Sequence, residues 1–175
     1  MNFVYVDKSG GSGIINIKIS NDVVINPMDK NKYRKMVKGL ERNGIKVIQA
    51  KGDDLRYLKT LGAEASYGNG YIMHIGEIPS ASAMFEETIH STQAKIYGEF
   101  NSNDEIELFA REIAANKILL KNQKSYGFDD NDVNDIKRNL SIWEDRFENK
   151  VGVKYEESSY HREISNFNGN SIIGK

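Results

Sequence analysis

The sequence predicts an α+β fold: a small mixed sheet with helices packed on one face. Short alternating apolar runs and a Gly-Asn-Gly turn crowd the first half of the chain. Three longer segments carry apolar residues at helical spacing, and all of them follow that turn. No internal repeat or second domain is visible in the 175 residues, so residues 1–165 read as a single domain and 166–175 as a polar tail.

Taken in order, Met1–Asp7 alternates as an edge strand does. Ser9–Gly13 is a flexible turn that lacks the Lys-Ser/Thr ending of a phosphate cradle. Ile15, Ile17 and Ile19 alternate with Asn16 and Lys18, a half-buried strand, and Val23–Ile25 returns as its hairpin partner. Asp29 to Asn43 is the first helix, with Tyr33, Met36, Val37 and Leu40 as its inward stripe. Its Lys and Arg residues are the solvated face rather than a nucleic-acid surface. Ile45–Gln49 is a strand, and Asp53–Leu61 a short helix stopped by Gly62. Ala63–Tyr67 and Tyr71–Ile75 form a hairpin around Gly68-Asn69-Gly70; His74 reads as a side chain on one face of its second strand.

Three long helices follow. The first runs from Pro79 to Tyr97, entered through Ser80 or Ser82 and ended by Gly98. The second spans about Asp104 to Lys121, opened by the capping box of Ser102 and Glu105, and Asn122–Phe128 is a connection. In the third, Val133, Ile136, Leu140, Trp143 and Phe147 recur at core spacing before Gly152. The acids Asp129, Asp130 and Asp132 cap this helix; a calcium loop needs a Gly and a distal Glu that are missing at their offsets. Lys154–Lys175 is a polar extension from which Tyr155, Tyr160 or His161 can fold over a site.

Composition narrows the function. A net charge of −1 sets up no strong field toward nucleic acid or a membrane surface. The absence of cysteine excludes disulfides and thiolate metal sites, and an all-histidine site would need all of His74, His90 and His161. There is no 18-residue apolar run, and the N-terminus lacks a basic-then-apolar signal. The expectation is a protein with no membrane span, cytoplasmic or exported without a signal peptide.

The chemistry concentrates on Glu86-Glu87-Thr88-Ile89-His90. At about 100° per residue, Glu86 and His90 share a helix face with Phe85, Ile89 and Gln93, while Thr88, Ser91, Thr92 and Lys95 lie opposite. A carboxylate on an apolar face is costly unless paired or bound to a metal. The plainest account is a hydrogen bond of the two to each other or to a nearby backbone. The next helix repeats the conflict, since Glu112 shares an arc with Leu108, Ile113, Ala115 and Leu119, and Glu105 and Asn116 lie near it, while Glu107, Arg111 and Lys117 point elsewhere. Two helices with inward acids can satisfy each other through one shared cation. Glu86, His90 and Glu112 then make three ligands with an open position, the pattern of a catalytic metal. Glu87, about 100° round the helix from the first of them, sits where a general base can reach water.

E-E-x-x-H with a second-helix Glu resembles the H-E-x-x-H motif of the zincin metallopeptidases whose third ligand is a Glu on the next helix. The stretch from Gly62 to Leu120 is similar to zincin-like domains of bacterial secreted toxins and phage-associated proteins. The resemblance implies a zincin-like fold and a metal-dependent hydrolase acting on a protein or peptide substrate. It makes Glu86, His90 and Glu112 the metal ligands and Glu87 the catalytic base. It also places one hairpin strand beside extended substrate, with His74 as a substrate contact, and it allows an immunity or inhibitor protein as partner. Glu86 stands where the family has His. Zinc remains the expected metal, with manganese or iron as harder alternatives suited to two carboxylates. The same replacement supports an inactive zincin-like scaffold, such as a virion component. Glu87 and His90 also form the E-x-x-H of a di-iron bundle, but no second copy exists. Glu105-Ile106-Glu107 resembles the E-x-E of ADP-ribosyltransferases, but it opens a helix.

Overall fold

The computed structural model describes residues 26–68, 71–75, 78–99 and 103–161. The opening strands and turn before residue 26, the hairpin tip at 69–70, Ser102 and the tail from 162 lie outside the described residues. What is described is α+β and mostly helical, with the elements α1 (Lys30–Arg42), β1 (Lys46–Ala50), α2 (Gly52–Leu61), β2 (Ala65–Gly68), β3 (Tyr71–Ile75), α3 (Ala81–Tyr97), α4 (Glu105–Tyr126) and α5 (Asp130–Val151). A single 3-10 turn follows at Tyr155–Glu157.

The three strands lie in the order β1-β3-β2. The β1–β3 pair is parallel, with Val47 opposite Ile72, and β2–β3 is antiparallel, with Tyr67 opposite Ile72. The sheet is therefore mixed. A parallel pair needs a crossover, and the connection from β1 through α2 supplies it. That connection corrects the expectation that the helices lie on one face. Val47, Tyr67 and Ile72 pack with Met36 and Leu40 of α1 and with Met84 and Phe85 of α3. Ala50, on the opposite face from Val47 because side chains alternate, packs instead with Leu58 of α2, Leu55 and Ala63.

Four of the described helices, α1, α3, α4 and α5, start at a side-chain cap, and α2 does not. Asp29 accepts from the Asn31 and Lys32 amides, Ser80 from Ala83, and Asp104 from Glu107. Asp129 and Asp132 form a reciprocal capping box at the head of α5, so these acids serve the helix. α4 runs one turn further than its sequence suggests. The side chains of Asn122, Gln123 and Ser125 bond back to carbonyls of the same helix. Tyr126 stacks on Phe85 with ring centroids 3.7 Å apart, and only then does Gly127, at φ 75°, end the helix. Polar residues looked like a loop because their hydrogen bonds are internal.

α4 is the shared wall of two apolar clusters. Ala115, Ile118 and Leu119 face the cluster built with α1, α3 and the sheet. Ala110, Ile113 and Ala114 face Trp143 and Phe147 of α5 and Tyr155 beyond it. Among the described residues, no helix is long and apolar enough to cross a membrane.

Candidate metal centre

α3 is enclosed on nearly every side. Glu86, Glu87, Thr88, Ile89, Ser91 and Gln93 are all buried, and His90 is half-buried. Helical periodicity assigned Thr88 and Ser91 to the face away from the core; both are covered. Their hydroxyls donate to the Met84 and Thr88 carbonyls of their own helix, so they go inside without needing an outside partner.

Glu86, His90 and Glu112 converge as the sequence suggests. One ligand atom from each lies within 4.8 Å of the other two, and the group can hold a metal ion. His90 Nε2 and Glu112 Oε1 are 3.4 Å apart. Two donors bound tetrahedrally at zinc distances of 2.0–2.1 Å stand about 3.3–3.4 Å apart, so this spacing fits. The mutual contact between His90 and Glu112 is longer than a good hydrogen bond. Glu86 Oε1, His90 Nε2 and Glu112 Oε2 are buried with no hydrogen-bond partner. Buried polar groups in native proteins are almost always paired, so these three unpartnered atoms call for an explanation, and the group they belong to could hold a metal ion.

The electrostatics carry the same strain. Burial first, and then the neighbouring Glu112 and Glu87 carboxylates, push the Glu86 pKa well above the ordinary glutamate value. Burial raises Glu112 as well. A divalent ion would reverse both effects by supplying the missing positive charge.

The tautomer of His90 can be read from its surroundings. Gln93 Nε2 donates to the Arg111 carbonyl at 2.9 Å, which turns Gln93 Oε1 toward His90 Nδ1, also at 2.9 Å. An amide oxygen only accepts, so Nδ1 carries a proton, and Nε2 is the ring nitrogen turned toward Glu112.

Glu87 lies outside the ligand trio. It is buried, and its Oε2 accepts the backbone N–H of Tyr67 on β2, the edge strand of the described sheet. Burial raises its pKa to about 7, against the opposing pulls of His90 and of that amide. A carboxyl near 7 is suited to taking and returning a proton.

Other expectations move. Glu105 is exposed and pairs with Lys150 at 2.8 Å, so it leaves the Glu112 neighbourhood. Asn116 stays, one turn along α4, with its amide donating to the Glu112 carbonyl and its Oδ1 unpartnered. Glu107 and Arg111, read as pointing elsewhere, are buried together. Tyr155 and Tyr160 pack on Phe147 in the α4–α5 cluster, and the His161 ring lies against Tyr155. The sequence places Gln93 on the face of Glu86 and His90 without a role, and it does not point to the Tyr67 amide. The first could be found only as a polar residue on an apolar arc, and a backbone donor leaves no sequence signal.

Comparison with family models, with curated proteins and with solved structures gave no match.

Proposed function

We propose that this chain is a metal-dependent hydrolase of zincin type, acting on a protein or peptide, with Glu86, His90 and Glu112 as metal ligands and Glu87 as general base. The observation that carries the reading is the convergence of three unpartnered ligand atoms from two packed helices. A bound divalent cation would supply Lewis acidity toward a carbonyl oxygen and lower the pKa of water. The chain's own part is threefold. It orients the ligands, excludes bulk solvent through the surrounding α3 and α4 side chains, and holds at Glu87 a carboxylate able to accept a proton near neutral pH. Zinc is the first candidate, and two carboxylates with one imidazole also suit manganese or ferrous iron. The setting in secreted toxins or phage-associated proteins, and an immunity or inhibitor protein as partner, rest on the sequence resemblance alone.

Elemental analysis of purified wild type and of Glu86→Ala tests the site. About one equivalent of metal is expected in the first and little in the second. Glu87→Gln should then keep metal and fold while lowering turnover by roughly 10²–10⁴-fold. Metal loss in Glu87→Gln as deep as in His90→Ala would overturn the division of roles.

A second reading has its own observation. Glu87 is 3% exposed and one of its oxygens is already taken by the Tyr67 amide. A centre so enclosed can serve as a structural metal site on an inactive zincin-like scaffold. Metal retention with no peptide or protein hydrolysis at any pH between 5 and 9, about two units either side of Glu87, would favour it.

A further inference from the structure

The most complete polar arrangement near the trio belongs to a residue outside it. Gln93 is 1% exposed, and both ends of its amide are used. Its Oε1 faces His90 Nδ1 at 2.9 Å, and its Nε2 donates to the Arg111 carbonyl at 2.9 Å. Arg111 directly precedes Glu112 on α4. One buried amide therefore joins the imidazole on α3 to the backbone beside the carboxylate on α4.

The orientation of this amide is forced. The Arg111 carbonyl can only accept, so it selects the NH2 end of Gln93 and leaves the oxygen for His90. A flipped amide would set two oxygens against each other in a buried position and leave the Arg111 carbonyl without its donor. The helix–helix register thus dictates the amide, and the amide dictates which ring nitrogen bears the proton. On the other side of the ring Nε2 makes no hydrogen bond, and the nearest carboxylate oxygen, Glu112 Oε1, is 3.4 Å away.

We propose that Gln93 is the positioning residue of this centre: it keeps the His90 proton on Nδ1, presents Nε2 as the ligand lone pair, and fixes the ring relative to Glu112. The inference rests on the metal-site reading for its purpose, but its first consequence is measurable without metal. Second-sphere partners of ligand imidazoles typically change metal affinity 10–100-fold when removed. They do so by letting the ring turn and the proton move to the nitrogen that must coordinate.

The experiment is long-range 15N–1H NMR of the imidazoles in chelator-treated protein, about two units above the ordinary imidazole value of about 6.5. His90 is assigned by the loss of its signals in His90→Ala. Wild type should show the proton on Nδ1. Gln93→Leu should show a tautomer mixture and bind zinc 10–100-fold more weakly. Gln93→Glu keeps an acceptor opposite Nδ1 but sets an oxygen against the Arg111 carbonyl, so it should restore the tautomer while lowering the melting temperature. A wild-type proton on Nε2 would overturn the proposal, and that measurement needs no variant to fold. An unchanged tautomer in Gln93→Leu would overturn it too, as would failure of Gln93→Glu to restore the tautomer. Absence of metal binding in wild type, alongside the expected tautomers, would sink the metal reading and leave the Gln93 assignment standing.

Discussion

Two buried ionic clusters sit side by side on α4, and they differ in one respect. Arg111 Nε donates to Glu107 Oε1 at 2.8 Å and its Nη1 donates to the Gly98 carbonyl at 3.0 Å, and no side-chain atom of either residue is left buried without a partner. One residue further on, Glu112 meets His90 and Glu86 with an orphaned atom on each. The first cluster is closed and electrically balanced. The second gathers two carboxylates and an imidazole whose inward atoms are unpartnered. Burial of charge alone therefore says little about function. Burial of polar atoms without a partner is the feature that calls for an explanation.

The largest expected effect separates the clusters by what their removal does to metal-free protein. Arg111→Leu strips the guanidinium from a buried carboxylate and should cost about 3–5 kcal/mol. At about 2–4 °C per kcal/mol for a chain of this size, the melting temperature should fall by roughly 10 °C. Glu112→Gln removes a carboxylate that its surroundings resist ionising, so in metal-free protein near pH 8 stability should hold or rise. Metal binding should nevertheless be lost. Equal destabilisation by the two variants, read by thermal melts with chelator, would break the distinction and make both clusters structural.

A second effect, somewhat smaller, is in pH. In the metal-free chain Glu86, Glu87 and Glu112 all have folded-state pKa values above the ordinary glutamate value. The folded state then holds protons that the unfolded chain has released. The stability linked to these groups is complete below about 4.5 and drains away as pH rises through about 7 for Glu87 and higher for Glu112. For Glu87 alone, the displacement from 4.5 to about 7 corresponds to about 3 kcal/mol. Cation binding requires the ligands deprotonated, so a zinc-saturated sample should lose less stability over the same window, and zinc affinity should rise with pH across it. Parallel melting curves against pH with zinc and with chelator would show that no cation relieves the strain.

Periodicity made much of the open cluster legible. Glu86, His90 and Glu112 stand out because each breaks an apolar arc, and an arc is a local property of a helix. The closed cluster was invisible for the converse reason. Glu107 and Arg111, four residues apart, look like any surface pair, and the Arg111 bond to the Gly98 carbonyl comes from a part of the chain that the helix pattern does not include. Gln93 depends on the register between α3 and α4, which no single-helix pattern encodes. The same holds for the sheet. Each described strand was readable, but the parallel pairing of β1 with β3, and with it α2 on the opposite face, is a non-local choice. Residues 122–126 misled because side chains that bond their own helix resemble those of a loop.

The smallest effect tests whether the two regions are coupled. Asp129 accepts the Asp132 amide at 2.9 Å and the Asn26 side chain at 3.0 Å, so Asp129→Ala should cost about 1 kcal/mol, the usual worth of an N-cap. Asp132 reaches further. Its carboxylate accepts from Ser82, whose hydroxyl lies 3.2 Å from that of Ser80, the cap of the helix bearing Glu86 and His90. If the metal centre is set only by the α3–α4 seam, Asp129→Ala should lower the melting temperature by a few degrees and leave zinc affinity unchanged by titration. A matching loss of affinity would mean that the head of α5 positions the ligand helix through Asp132 and Ser82. The open cluster would then owe its geometry to three helices rather than two.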